Sequence, residues 1–214
     1  MKSLNKYIDH TILKAEATET DIRKLCSEAI EYGFFAVCVN SCYVSLASKE
    51  LAGSDVKVAS VIGFPLGAAH TAAKVRETEI AVSEGADEID MVLNIGALKG
   101  GRFHFVTDDI RSVVQTAEKG GGIVKVILET CLLTDEEIIR ACQLAKAGAA
   151  FVKTSTGFST AGATAHHVKL MKDTVGDALQ VKASGGIRDK MKALEMIEAG
   201  ADRIGASASI SICK

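Results

Sequence analysis

Tryptophan is absent from the 214 residues, and Pro65 is the only proline. The scarcity of proline excludes Pro-rich recognition segments and stiff extended linkers. Neither sign of charge dominates. Lys and Arg number 25 against 27 Asp and Glu, the net charge is −2, and no basic block occurs, which argues against nucleic acid as the main partner. No apolar run approaches the ~20 residues that a membrane-spanning helix needs, so no membrane partner is expected. The first residues, Met-Lys-Ser-Leu-Asn-Lys-Tyr, are too polar for a secretory leader. Cys26, Cys38, Cys42, Cys131, Cys142 and Cys213 form no CxxC pair and no regular framework. They read as reduced thiols, and the expected location is cytoplasmic.

What is present is enough to bury a core: 48% of residues are hydrophobic and 24% charged. The length fits one large domain or two small ones. Gly33, Gly53, Gly85, Gly120, Gly148, Gly176 and Gly200 each close a helical-looking stretch and precede a β-rich run. Glycine just past a helix accepts the left-handed conformation that stops it. The runs are 34–40, 56–64, 88–94, 123–130, 151–156, 180–184 and 203–207, with an earlier one at 7–13. Their starts recur every 22 to 35 residues, which suits one βα unit. Nearly continuous apolar strands imply parallel pairing under a cover of helices.

Eight strands, seven intervening helices and a last helix from about 206 to 213 predict an α/β fold, a (β/α)8 TIM barrel of parallel strands in a single domain over 1–214. A doubly wound open sheet shares the periodicity; the strand count favours closure. Thr18–Tyr32 starts on an N-cap candidate and carries Ile22, Leu25, Cys26, Ala29 and Ile30 on one face. Thr134 followed by Asp135, Glu136 and Glu137 reads as a capping box with an acidic first turn. Thr71–Glu84 and Lys190–Ala199 read as helices in the same way.

Parallel strands bring their C-terminal ends to one face, where α/β proteins bind ligands. Polar residues due there are Asp9, Thr11, Asp90, Asn94, Lys125, Glu129, Lys153, Ser155, Lys182 and Ser184. Lys125, Lys153 and Lys182 lie on three consecutive runs and are expected at similar depths. A lone lysine near a strand end is ordinarily snorkelling or ion-paired; three in one barrel are harder to dismiss. Crowding by a second cation and partial desolvation disfavour an ammonium. A neutral amine can attack a carbonyl and form a Schiff base, and a carboxylate such as Asp90 can partner an ammonium and relay protons. Asp9 and Thr11 could equally anchor the start of the barrel.

Gly157, Gly185, Gly186 and Gly205 free backbone N–H groups to approach an anion, with Ser184 and Ser207 adding hydroxyls and Arg188 a cation. Barrels often bind phosphate at the loops after strands seven and eight. Gly63-Phe64-Pro65-Leu66-Gly67 reads as a tight strand exit. His166 and His167 lie on a surface helix and lack metal-ligand spacing.

Taken together, these residues resemble the deoxyribose-phosphate aldolase family of class I aldolases. The likeness is carried by Ile8-Asp9-His10-Thr11-Ile12-Leu13, Val37-Cys38-Val39-Asn40, Val61–Gly67, Gly85–Val92, Lys125–Thr130, Phe151–Phe158, Val181–Arg188 and Arg203-Ile204-Gly205-Ala206-Ser207, in order over nearly the whole chain. The resemblance implies cleavage of 2-deoxy-D-ribose 5-phosphate to D-glyceraldehyde 3-phosphate and acetaldehyde, with no cofactor and no metal. It implies Lys153 as the Schiff-base lysine, Lys182 as the second lysine that perturbs it and joins the proton relay, and Asp90 as the relay aspartate. Asp9, Thr11, Lys125 and Thr156 would form the surrounding polar network. Gly157, Gly185, Gly186, Arg188, Gly205 and Ser207 would form the phosphate loops. A homodimer is expected. Alternatives are another Schiff-base sugar-phosphate aldolase or a non-catalytic sugar-phosphate sensor. Two departures stand out. Family members often end in a tail bearing a tyrosine, and Tyr7, Tyr32 and Tyr43 cannot fill that place. Either such a tail lies outside this sequence, or proton abstraction falls to Asp90, Lys182 and water. Ala208 stands where some members carry a phosphate-contacting serine, so weaker phosphate binding is expected.

Overall fold

Alternation along each strand decides what the barrel encloses. In the computed structural model, which describes residues 3–214, the strands are β1 (Ile8–Thr11), β2 (Ala36–Val39), β3 (Lys57–Ile62), β4 (Glu88–Val92), β5 (Ile123–Ile127), β6 (Phe151–Lys153), β7 (Gln180–Ser184) and β8 (Arg203–Ala206). All pair in parallel with their neighbours, and β8 returns to β1, closing the barrel. Val37, Val39, Ile62, Ile89, Met91, Val126, Val152, Val181 and Ile204 face outward into one continuous core against the helices. Burial of such side chains contributes roughly 1.5–3 kcal/mol each.

The helices are α1 (Glu19–Tyr32), α2 (Val44–Glu50), α3 (Thr71–Ser83), α4 (Ile95–Lys99), α5 (Phe103–Lys119), α6 (Asp135–Ala145), α7 (Ala165–Val175), α8 (Lys190–Glu198) and α9 (Ser209–Cys213). Thr18 and Thr134 close full capping boxes on α1 and α6, each satisfying two otherwise orphaned backbone donors. Two helices, not one, connect β4 to β5. Gly101 takes φ +70 and breaks the segment after α4, while Asn94 caps the start of α4 by accepting from Ala97 N–H. At the end of α5 the left-handed turn falls on Gly121, with φ +79, and not on Gly120. Gly120 serves another purpose, since a Cβ there would lie 2.0 Å from Val82 Cγ1.

The barrel interior is divided. On the β2–β3 side, Cys38, Ala59 and Val61 form a small apolar cluster with Leu13 and Phe64. The buried charges Asp9, Glu88, Asp90, Lys125, Lys153, Lys182 and Arg203 form no part of that cluster. All six cysteines are free, and among the described residues no helix is long and apolar enough to cross a membrane.

Candidate active site

Asp90 lies at the centre of the charged half. The parity of β4 that sends Ile89 and Met91 outward sends Glu88 and Asp90 inward. Asp90 Oδ1 accepts from Lys125 Nζ at 2.6 Å, and Oδ2 accepts from both Lys153 Nζ and Lys182 Nζ at 2.8 Å. Lys182 reaches Asp9 Oδ2 at 2.5 Å, Lys125 reaches Glu88 Oε2 at 2.6 Å, and Arg203 joins Asp9 at 2.9 Å to Glu88 at 3.1 Å. Every one of these side chains is buried. The guanidinium of Arg203 also stacks 3.5 Å from the centre of the Phe35 ring.

The three lysines are not equivalent. Lys153 and Lys182 pair directly in register, whereas Lys125 pairs with Phe151, two residues earlier on β6. Lys125 therefore sits deeper along its strand than the even spacing suggested. Lys125 and Lys182 each hold two carboxylates, while Lys153 holds one oxygen and shares it. Counted over the network, four cations face three carboxylates, and a neutral Lys153 leaves the two signs equal.

Burial would by itself make Asp90 and Asp9 harder to ionise. The lysines around Asp90 overcome that and hold its carboxyl well below the ordinary range. Lys182, Arg203 and Lys125 likewise bring Asp9 down to about 2. Burial also opposes the charge on Lys182, but Asp9 and Asp90 outweigh it and raise that ammonium above its usual value. Lys125 is raised in the same way by Asp90 and Glu88 against the same burial. Lys182 thus rests as a cation beside Lys153.

Above this layer opens a cavity of about 310 Å³. Of the network, only Lys153 lines it; Asp9, Asp90, Lys125 and Lys182 lie beneath. Its walls carry Thr11, Thr156, Gly157, Gly185, Gly186, Arg188, Gly205 and Ser207, joined by Lys14. Thr11 donates its hydroxyl to the Asp9 carbonyl and makes no bond to the lysines. Among the described residues, the N–H groups of Gly157, Gly186 and Ser207 donate to no protein acceptor, so they remain open to an anion. Gly205 has a further role: a Cβ there would meet Lys182 Cε at 3.0 Å. Ala208 is half-buried and lies outside the lining.

Sequence reasoning did not single out Glu88, Arg203 or Lys14. Glu88 was within reach, being two residues before Asp90 on the same strand face. Arg203 needed the closure of β8 onto β1 to be placed beside Asp9.

A family model described as DeoC/LacD family aldolase matches residues 4–213. The chain is 62% identical over 211 residues to the deoxyribose-phosphate aldolase of Alkaliphilus oremlandii, covering 98% of this chain and 95% of that protein. It is 61% identical over 210 residues to the deoxyribose-phosphate aldolase of Clostridium tetani, covering 98% and 97%. Among solved structures, the tetrameric deoxyribose phosphate aldolase of Aeropyrum pernix superposes with a TM-score of 0.93 at 36% identity, over 98% of this chain and 89% of that one.

Proposed function

The chain belongs to the DeoC/LacD family of aldolases, and from that membership we propose that it is a lyase splitting 2-deoxy-D-ribose 5-phosphate reversibly into D-glyceraldehyde 3-phosphate and acetaldehyde. The observation that carries the chemistry is one amine, Lys153, lining the cavity while resting on an aspartate oxygen that a second lysine, Lys182, also occupies.

Lys153 attacks the aldehyde carbon of the open-chain sugar as a neutral amine, and loss of water gives a protonated imine. The positive nitrogen draws electrons toward it. Removal of the proton on the C3 hydroxyl then lets the C2–C3 bond break. Its electron pair becomes the enamine, and glyceraldehyde 3-phosphate leaves. Protonation of the enamine carbon and hydrolysis of the imine release acetaldehyde and regenerate Lys153.

Asp90 is held ionised by three cations. Neutral Lys153 removes one of them, which weakens the hold and makes Asp90 a better proton acceptor at the step that needs one. Asp90 and Lys182 then move protons through water to and from the C3 oxygen and the enamine carbon. The positive charge of Lys182 opposes a second positive charge on Lys153, which favours the neutral amine. Lys125 and Asp9 keep Asp90 and Lys182 in place. The substrate's phosphate faces Arg188, Lys14 and the open N–H groups of Gly157, Gly186 and Ser207.

The test is reduction with borohydride in the presence of acetaldehyde, followed by peptide mass mapping, beside a cleavage assay on deoxyribose 5-phosphate. An ethyl adduct at Lys153 together with cleavage supports the reading. An adduct without cleavage points to another Schiff-base aldolase, and no adduct removes the aldolase assignment for this cavity. A homodimer is part of the same proposal, supported by Met191 and Leu194 exposed on α8, and sedimentation tests it.

A further inference from the structure

Glu129 follows β5 and opens the short 3-10 turn Thr130–Leu132. Its φ is +58, and among the described residues it is the one non-glycine in the left-handed region. Residues other than Gly, Asn and Asp avoid that conformation. Glu129 is 3% exposed, and among the described residues no lysine, arginine or histidine forms an ion pair with it. An unpaired buried carboxylate on a strained backbone, at the rim of a catalytic cavity, requires an explanation.

Its partners supply one. Thr156 N–H donates to Oε1 at 3.2 Å, and the Thr156 hydroxyl donates to Oε2 in a short hydrogen bond. The Thr156 oxygen in turn accepts from Phe158 N–H at 3.0 Å. Both donors of Thr156 are therefore consumed inside the protein, leaving none for a bound ligand. The residue between, Gly157, has φ +86 and an N–H that faces no protein acceptor. Phe158 is set edge-on to Phe64 at 5.2 Å.

We infer that Glu129 is a positioning residue: its left-handed backbone turns the carboxylate back across to the loop after β6, and the carboxylate clamps Thr156 and Phe158 so that Gly157 N–H points at the substrate's phosphate. Thr156 is then a link in the clamp and not a phosphate ligand. This inference rests on the aldolase reading and adds to it a device for recognising the phosphorylated end.

The experiment is steady-state kinetics of the full chain and its Glu129→Gly and Thr156→Val variants on 2-deoxyribose 5-phosphate and on unphosphorylated 2-deoxyribose, with inorganic phosphate as competitor. Glu129→Gly keeps the left-handed backbone accessible while deleting the carboxylate, so the variant folds and circular dichroism matches the parent. For the phosphorylated substrate, KM rises about tenfold and kcat falls less than about threefold. The inhibition constant of phosphate rises with KM, the unphosphorylated sugar shows no such rise, and the double variant is no worse than either single one. Equal losses on both sugars, or an unchanged KM for the phosphorylated one, overturn the clamp. Wild-type cleavage with a Lys153 adduct, measured alongside, tests the aldolase reading separately; if it holds while the variants leave KM alone, only the inference falls.

Discussion

Lys153 and Lys182 donate to the same oxygen, Asp90 Oδ2, each at 2.8 Å. Two ammonium groups on one acceptor atom repel each other at a separation where water cannot screen them. The barrel resolves this unequally. Asp9 gives Lys182 a second anion and Lys153 has none, so Lys182 is the more firmly paired of the two and Lys153 is the amine that faces the cavity. The two lysines thus have different duties despite matching positions on adjacent strands.

That asymmetry makes the two lysines separable by experiment. Lys153→Met should abolish the borohydride adduct and all measurable cleavage. Lys182→Met should retain a trappable imine, while kcat drops about 10²- to 10⁴-fold, the usual span for a lost proton-transfer group. The pH–rate profile of Lys182→Met should shift its lower limb upward, because the cation that favours neutral Lys153 is gone. An unchanged profile would assign Lys182 a purely structural part.

Asp90→Asn should be costly for the fold as well as for the reaction. The amide leaves Lys125, Lys153 and Lys182 facing one another with less negative charge between them. Removing one partner of a buried ion pair costs about 3–5 kcal/mol. An unfolding free energy from guanidinium titration lowered by that amount at pH 7, and restored in part when Lys125→Met is added, is the expected result. Full stability in the single variant would mean that the lysines lose protons to compensate.

The architecture was open to reading because its signals are local. Glycine left-handed turns, capping boxes at Thr18 and Thr134 and strand runs with fixed parity do not depend on what lies across the barrel. Parity also brought Asp90, Lys153 and Lys182 to one interior. The deeper position of Lys125 depends on register, since pairing with Phe151 rather than Lys153 is a fact about two strands together. Arg203 became a partner of Asp9 only on closure. Glu129 was visible as a polar strand-end residue, but its left-handed backbone was not, because nothing in a glutamate announces positive φ. The α4–α5 break had a local sign in Gly100-Gly101, masked by the apolar residues on both sides.

Acid should destabilise this barrel later than most. The carboxyl of Asp9 is lowered to about 2, from an ordinary value of 3.8. A depressed carboxyl contributes stability that is fully present above 3.8 and lost as pH falls through about 2. Asp90, depressed further, acts in the same direction. Lys182, raised, contributes below its ordinary 10.5 and keeps contributing until pH exceeds its folded value. Thermal melts from pH 2 to 7 should therefore fall most steeply below pH 4, and Asp9→Asn should start lower at pH 7 and show a shallower acid limb. A parallel limb in the variant would exclude Asp9 as a source of the slope.

Ala208 offers a gain-of-binding test. It follows Ser207, which lines the cavity, but is itself outside the lining. Ala208→Ser should lower KM for the phosphorylated sugar if the added hydroxyl can rotate toward the anion. An unchanged KM would mean that the open N–H groups and Arg188 already complete the phosphate's shell.

Gly205→Ala separates geometry from fold. Gly205 lies in β8 with an ordinary strand backbone, so alanine is conformationally acceptable there. The new methyl would lie 3.0 Å from Lys182 Cε and 3.1 Å from Ser184 Cβ. Ser184 is part of β7 and cannot yield, so the lysine must. Moving Lys182 Nζ by even ~1 Å pulls it from Asp90 Oδ2 or Asp9 Oδ2, and misplacement on that scale can cost about 10²-fold in rate. We expect Gly205→Ala to fold, to bind inorganic phosphate with little change, and to lose kcat by about one to two decades, with Lys182→Met adding little further loss in the double variant. Full multiplication of the two losses would show that the methyl acts on the phosphate loop instead, and would separate the role of Gly205 from that of Lys182.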